Sequence, residues 1–200
     1  MRAALFYSLI MLLVFTTGAM AQTINGRLGL SGKVGVFVPL NDDLVSGASA
    51  SKTGLATGGG LIYGLSDNLA AELDITHMPT IDIEYGGEKA GEAALTDVSI
   101  GIQYRFTPER PLVPYLGLGL DFINGDFKSQ FDGKYDFEWS YGGHVSAGAD
   151  YFVTKGVALT AELKGIFASK GDIKGTGNEY DPTGFAGTVG LRLFLPERLQ

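Results

Sequence analysis

The sequence predicts an all-β fold, an eight-stranded antiparallel up-and-down transmembrane β-barrel, and three observations carry that expectation. Apolar residues alternate with small or polar ones through successive segments, no run beyond the first segment approaches the roughly 20 apolar residues of a spanning helix, and the connections alternate long and short. On a strand, a period of two sorts residue types onto opposite faces. A sheet with one greasy and one wet face lasts in hydrocarbon only when it closes, because every backbone N–H and C=O must be paired within the protein. A soluble sandwich uses the same alternation but has no reason to sort its connections by length.

Composition excludes several classes. The 200 residues hold 15 Lys and Arg against 22 Asp and Glu, a net charge of -7, with no basic cluster to meet nucleic acid. The absence of Cys removes disulfides, thiolate metal sites and a lipoprotein anchor. Thirty glycines beside a hydrophobic fraction of 45% describe an ordered chain that needs many positions without side chains.

The first segment reads as an export signal: Arg2, an apolar run from Ala4 to Phe15, and small residues ending Ala19-Met20-Ala21, with cleavage expected after Ala21. Residues 22–200 then form the barrel, with a short tail from Pro196. The strands follow in order. Leu28, Leu30, Val34, Val36 and Val38 share a face in the first; the second, about Thr53 to Tyr63, is the least regular, because Gly58-Gly59-Gly60 suggests a bulge or a close backbone approach. Leu69, Ala71, Leu73 and Ile75 form the third, and Val98 to Phe106 the fourth. Leu116, Leu118, Leu120 and Phe122 mark the fifth; Tyr141, Val145, Ala147, Ala149 and Tyr151 the sixth; Val157, Leu159, Ala161 and Leu163 the seventh; Phe185, Val189, Leu191, Leu193 and Leu195 the eighth.

Long connections are expected at about Asn41 to Lys52, Pro79 to Ala93, Asn124 to Phe137 and Ser169 to Pro182, with tight turns at Leu65 to Asn68, Thr107 to Val113 and Thr154 to Gly156. Long loops outside and short turns in the periplasm is the pattern of a bacterial outer-membrane barrel, with both chain ends periplasmic. Tyr63, Tyr104, Phe106, Trp139, Tyr141, Tyr151, Phe167 and Phe185 lie near strand ends, where aromatic girdles sit. Gly29, Gly35, Gly101, Gly117, Gly119, Gly142, Gly148 and Gly190 fall on the inward face, making room in a narrow interior.

With the apolar face toward lipid, the interior collects Lys33, Glu72, Asp74, Gln103, Arg105, Asp121, His144, Asp150, Glu162, Lys164 and Arg192. Charges in so small a space must be paired or hydrated. A structural ion-pair network that plugs the barrel and a narrow polar pore would use the same residues. His144 and Ser146, two apart on one strand face, are the sharpest catalytic hint. With a turn at Lys155, however, Ser146 faces Lys164 and Glu162 faces Gly148, an arrangement closer to a charge network than to a triad. His77 has no His or Cys partner and reads as a rim residue. Acidic loop residues (Asp42, Asp43, Glu88, Glu92, Asp126, Asp132, Asp136, Asp172, Glu179, Asp181) could hold divalent cations only if several oxygens converge. The Gly117-x-Gly119 pair lacks the third glycine and the helix of a dinucleotide site.

The signal segment, the strand Pro114 to Asp121, the stretch Gly142 to Phe152 and the closing strand together resemble the small eight-stranded outer-membrane proteins, the outer membrane protein W group and the broader outer-membrane β-barrel domain family. Thr188, Gly190, Leu193 and Leu195 are similar to the family's carboxy-terminal insertion signal, although this chain continues through Pro196 to Gln200 rather than ending on an aromatic. The resemblance implies a Gram-negative outer-membrane location, no cofactor, contact with lipid, lipopolysaccharide and the barrel-assembly machinery, and porin-family roles in passage of small hydrophobic solutes, stress tolerance or surface interaction. The expectation is a non-enzymatic barrel, either a narrow conduit or a structural envelope component. The rival readings are a lipid A-modifying enzyme using His144 and Ser146, as in outer-membrane deacylases, and an adhesin acting through the long loops.

Overall fold

The computed structural model describes residues 23–41, 44–131 and 133–196; the expected export signal, Gln22, Asp42, Asp43, Asp132 and the last four residues lie outside them. All regular structure among the described residues is β: β1 (Leu28–Pro39), β2 (Ala50–Ser51), β3 (Gly54–Gly64), β4 (Leu69–Tyr85), β5 (Glu88–Arg105), β6 (Leu112–Ser129), β7 (Gly133–Asp136), β8 (Ser140–Thr154), β9 (Val157–Ala168), β10 (Gly171–Asp172), β11 (Glu179–Tyr180) and β12 (Gly184–Phe194). The eight long strands β1, β3, β4, β5, β6, β8, β9 and β12 pair antiparallel in that order. Closure comes from β12 against β1, running from Gly29 opposite Phe194 to Pro39 opposite Gly184. Arg27 fastens this seam at the turn end: its guanidinium donates to the carbonyls of Leu195 at 3.0 Å and Lys155 at 2.8 Å.

Residue parity decides which side chains meet lipid. Leu163 is 70% exposed and its neighbour Lys164 is 7% exposed; on β12, Leu191 is 49% exposed and Arg192 fully buried. The eight expected aromatics all lie exposed, with Tyr104 edge-on to Phe106 at 5.0 Å. On the inside, a Cβ added at Gly148 would collide with the Tyr115 ring, and one at Gly119 with His144. These glycines are the space that the large inward groups occupy.

Three expectations about elements are corrected. The Gly58-Gly59-Gly60 run pairs without interruption on both sides, opposite Lys33, Gly32 and Ser31 of β1 and Thr76, Ile75 and Asp74 of β4. It is no bulge, and the alternative of a close backbone approach holds: a Cβ at Gly60 would meet the Leu73 carbonyl and the Asp74 carboxylate, so the small residue serves the lumen. The segment from Pro79 to Ala93 is not a loop. It is a hairpin that continues β4 and β5 beyond the membrane and turns on Gly86 and Gly87, whose φ values of 63° and 86° suit a two-residue turn. One irregularity falls at Pro79-Thr80, where the register shifts between Met78 and Ile81 and a residue without an N–H is tolerated, and a second shift lies between Ile83 and Glu84. The segment from Asn124 to Phe137 is likewise mostly strand, with β6 reaching Ser129 and β7 folding back on it.

The interior is filled in three storeys. At the turn end, Ile24, Ile62, Ala70, Val113, Phe152, Ala158 and Phe194 form an apolar floor, with Phe152 and Phe194 stacked at 5.6 Å. Charged side chains occupy the middle. At the loop end a larger apolar storey joins strand residues, among them Phe37, Met78, Ile81, Ile83, Leu95, Ile123 and Phe127, to Leu44, Val45, Phe137, Ile173 and Tyr180 from the connections. Tyr180 stacks on Phe137 at 4.2 Å and donates to the carbonyls of Glu138 at 2.7 Å and Ile123 at 3.1 Å. The β10–β11 hairpin and the bridges Val45–Tyr180 and Phe137–Ile173 bind the connections into a cap.

Candidate functional site

The middle storey is where side chains that could do chemistry converge. Each comes from an inward position, so neighbouring strands deliver their charges to a common axis. Arg192 of β12 donates Nη1 to Asp150 Oδ2 at 3.0 Å and Nη2 to Glu72 Oε1 at 2.9 Å. Arg105 donates to the same Asp150 oxygen at 2.7 Å. Gln103 links the group, donating to Glu72 Oε2 at 2.5 Å while its carbonyl accepts from Arg192 at 3.3 Å. Next along the axis, Lys33 pairs with Asp74 and, at 3.1 Å, with Glu162. Toward the cap, Lys164 reaches Asp97 at 2.7 Å and Asp121 at 2.8 Å, and Asp121 holds His144 Nδ1 at 2.9 Å.

All eleven lumen candidates therefore face inward and each has a polar partner, in two groups: one around Arg192 and Lys33, the other Lys164, Asp121 and His144. Sequence reasoning passed over two further members. Tyr115 donates its hydroxyl to Glu162 at 3.0 Å and lies under Arg192, 5.0 Å from ring centroid to guanidinium; Asp97 pairs with Lys164. Both sit on the inward parity of strands already recognised, so extending the alternation by one step at each strand would have found them.

Packing of this layer leaves a cavity of about 10 Å³ among residues including Glu72, Ser99, Gly101, His144, Ser146 and Lys164. That is about the space one water molecule needs. An unpaired oxygen of Asp74, which also lines it, supplies a polar partner for such a water.

Ser146 and Lys164 are cross-strand partners, as are Gly148 and Glu162, the register expected from a turn at Lys155. The acid that touches His144 is Asp121, on the preceding strand, and no hydrogen bond joins Ser146 to His144. The nucleophile–base contact that acyl transfer requires is absent from this arrangement. His77 lies exposed on the outer face with Nδ1 3.0 Å from Thr96 Oγ1. Among the described residues no group of three His, Cys, Asp or Glu is placed to hold a metal. Several loop acids instead meet lysine: Lys89 bridges Asp82 at 2.8 Å and Glu92 at 2.6 Å, hydrogen bonds that raise its pKa above the ordinary lysine value. Of the residues expected to form an insertion signal, Thr188 and Gly190 have inward parity opposite Glu162 and Thr160, and Leu193 and Leu195 are exposed on the outer face.

A closed eight-stranded antiparallel barrel with an apolar belt, aromatic edges and its charges inside is a transmembrane barrel of the bacterial outer membrane. Residues 7–193 match the outer membrane protein β-barrel domain, and the chain belongs to that family. It is 31% identical over 110 residues to the uncharacterized outer-membrane protein y4mB of Sinorhizobium fredii, a match covering 52% of this chain and 48% of that protein. The chain thus spans about half the length of the curated relative it matches. Among solved structures it is similar in fold to the outer membrane protein OprG of Pseudomonas aeruginosa, with TM-score 0.63 and 14% identity over 86% of this chain and 96% of that one. Neisserial surface protein A is also similar, with TM-score 0.58 and 17% identity over 84% and 97%.

Proposed function

We propose that this outer-membrane barrel is a sealed structural component of the envelope, without lumenal transport or catalysis, which presents its knitted cap at the cell surface. The observation that carries this reading is the filled interior: two apolar storeys enclose an ion-pair layer with room for about one water. A narrow conduit for small or hydrophobic solutes would need a continuous path, and packed apolar clusters at the two ends of the lumen speak against one. The lipid A-modifying reading is weakened by the missing Ser146–His144 bond and by the burial of Ser146 within the lumen. Its partners on this reading are outer-membrane lipid and lipopolysaccharide along the belt, and the barrel-assembly machinery at β12, with Thr188, Gly190, Leu193 and Leu195 as the recognised signal.

Planar-bilayer recording of the refolded mature barrel tests it. The expected trace has no discrete conductance steps. A steady ion current, or uptake of a small hydrophobic solute by proteoliposomes carrying the barrel and not by empty ones, would overturn it. Ser146→Ala should leave lipid A composition in intact cells unchanged, and a change attributable to that variant would restore the enzymatic reading.

A further inference from the structure

Above the membrane, the cap encloses a second concavity, of about 170 Å³, lined by Val45, Tyr85, Phe127, Tyr135, Ile173, Thr176 and Asn178. Phe127 and Tyr135 are direct cross-strand partners of the β6–β7 hairpin. Tyr85 comes from the tip of β4 and is held by its hydroxyl, which donates to the Ser46 carbonyl at 3.1 Å. The opposite wall is the turn between β10 and β11. There Thr176 donates to the Ile173 carbonyl at 3.0 Å and accepts from Asn178 N–H at 3.1 Å, between Gly175 and Gly177 at φ values of 78° and 71°. The walls are thus fixed by strand pairing and turn bonds before any ligand arrives.

The chemistry of the lining selects a ligand class. Three aromatic and two aliphatic residues line it beside the Asn178 amide, with the Thr176 hydroxyl committed within its turn and the Tyr85 hydroxyl to Ser46. An anion would find no basic residue in the walls. The surrounding surface is acidic: the described residues of segments 41–52, 79–93, 124–138 and 169–182 carry ten Asp and Glu against six Lys and Arg. Such a surface draws cations toward the mouth. A bare metal ion would need converging oxygens, whereas a cation sheathed in alkyl groups is stabilised by aromatic rings within about 6 Å. The volume is below the roughly 300 Å³ where pockets for drug-sized ligands begin, so it suits a head-group and not a whole lipid. From these observations we infer that the pocket binds a small quaternary ammonium head-group of the choline type at the cell surface. The inference goes beyond the sealed-barrel reading, and a conducting barrel would leave it standing.

The test uses the refolded mature barrel in maltoside micelles, because a choline-headed detergent would compete for the pocket. Tetramethylammonium and choline are titrated against 3,3-dimethylbutanol, which copies the shape of choline without its charge, and binding is followed by NMR shifts of the tyrosine rings. Both cations should bind saturably, the neutral isostere about tenfold more weakly, and Tyr135→Leu should weaken the cations by about tenfold. Raised salt should weaken them further by screening the acidic surface. Phe127→Leu serves as a second variant, and retention of the heat-dependent gel shift establishes that each variant is folded. Equal binding of the isostere, no saturable binding of either cation, or unchanged affinity in both folded variants would overturn the inference.

Discussion

Arg192 is the residue on which the lumen depends most. It is fully buried and shares its two Nη groups between Asp150 and Glu72, while its plane lies beside Tyr115. Removing one member of a buried ion pair strands the other charge, at a cost of about 3–5 kcal/mol. Arg192→Met should therefore lower markedly the temperature at which the unboiled form disappears on an SDS gel. By contrast, Lys89→Ala on the exposed hairpin should leave that temperature unchanged. At this scale much was readable in advance: parity alone assigns Glu72, Asp74, Lys164 and Arg192 to the interior. Which charge meets which was not readable, because partners such as Asp121 for His144, or Glu162 for Lys33, are set by barrel stagger and curvature across strands.

The membrane-spanning parts of the strands follow from the sequence, and the parts above the membrane do not. On β4 the outward residues change from Leu73 and Ile75 through His77 to Asp82 and Glu84, while the inward ones continue as Met78, Ile81 and Ile83. Once the outer face meets water, polar outward residues read like loop, yet the inner face is still a core. The same change occurs on β6 beyond Asn124. The hairpin tip requires φ above zero at Gly87, so Gly87→Val should fray residues 79–93 in hydrogen exchange while the barrel keeps its heat-dependent gel shift. A second element-level prediction concerns the cap. Burial raises the Tyr180 pKa above the ordinary tyrosine value, so the fold favours the neutral hydroxyl, which donates to two carbonyls. Its stabilisation is complete below the free-tyrosine value of about 10 and is lost as pH rises toward the higher folded value. Protease cleavage within 169–182 should accelerate in strongly alkaline solution, and Tyr180→Phe, which cannot ionise, should remove that acceleration.

At the scale of the whole molecule, closure makes the barrel cooperative. Every long strand has two paired neighbours, so opening any ladder exposes unsatisfied backbone groups to lipid. The unboiled protein should migrate as a single compact species that converts on heating without a stable intermediate. On the sealed-barrel reading the two apolar storeys would also act as electrical insulation. Between them, the carboxylates, lysines and arginines of the middle layer would be withheld from the ions of either compartment, whereas the acidic cap would stand in the external electrolyte. Changing ionic strength outside the cell would then alter the surface field and what it attracts, within a screening length of about 10 Å at 0.1 M, while the charges that fix the shape of the barrel register nothing. One molecule would hold a salt-responsive exterior and a salt-blind interior, kept apart by rings of packed phenylalanine, isoleucine and leucine.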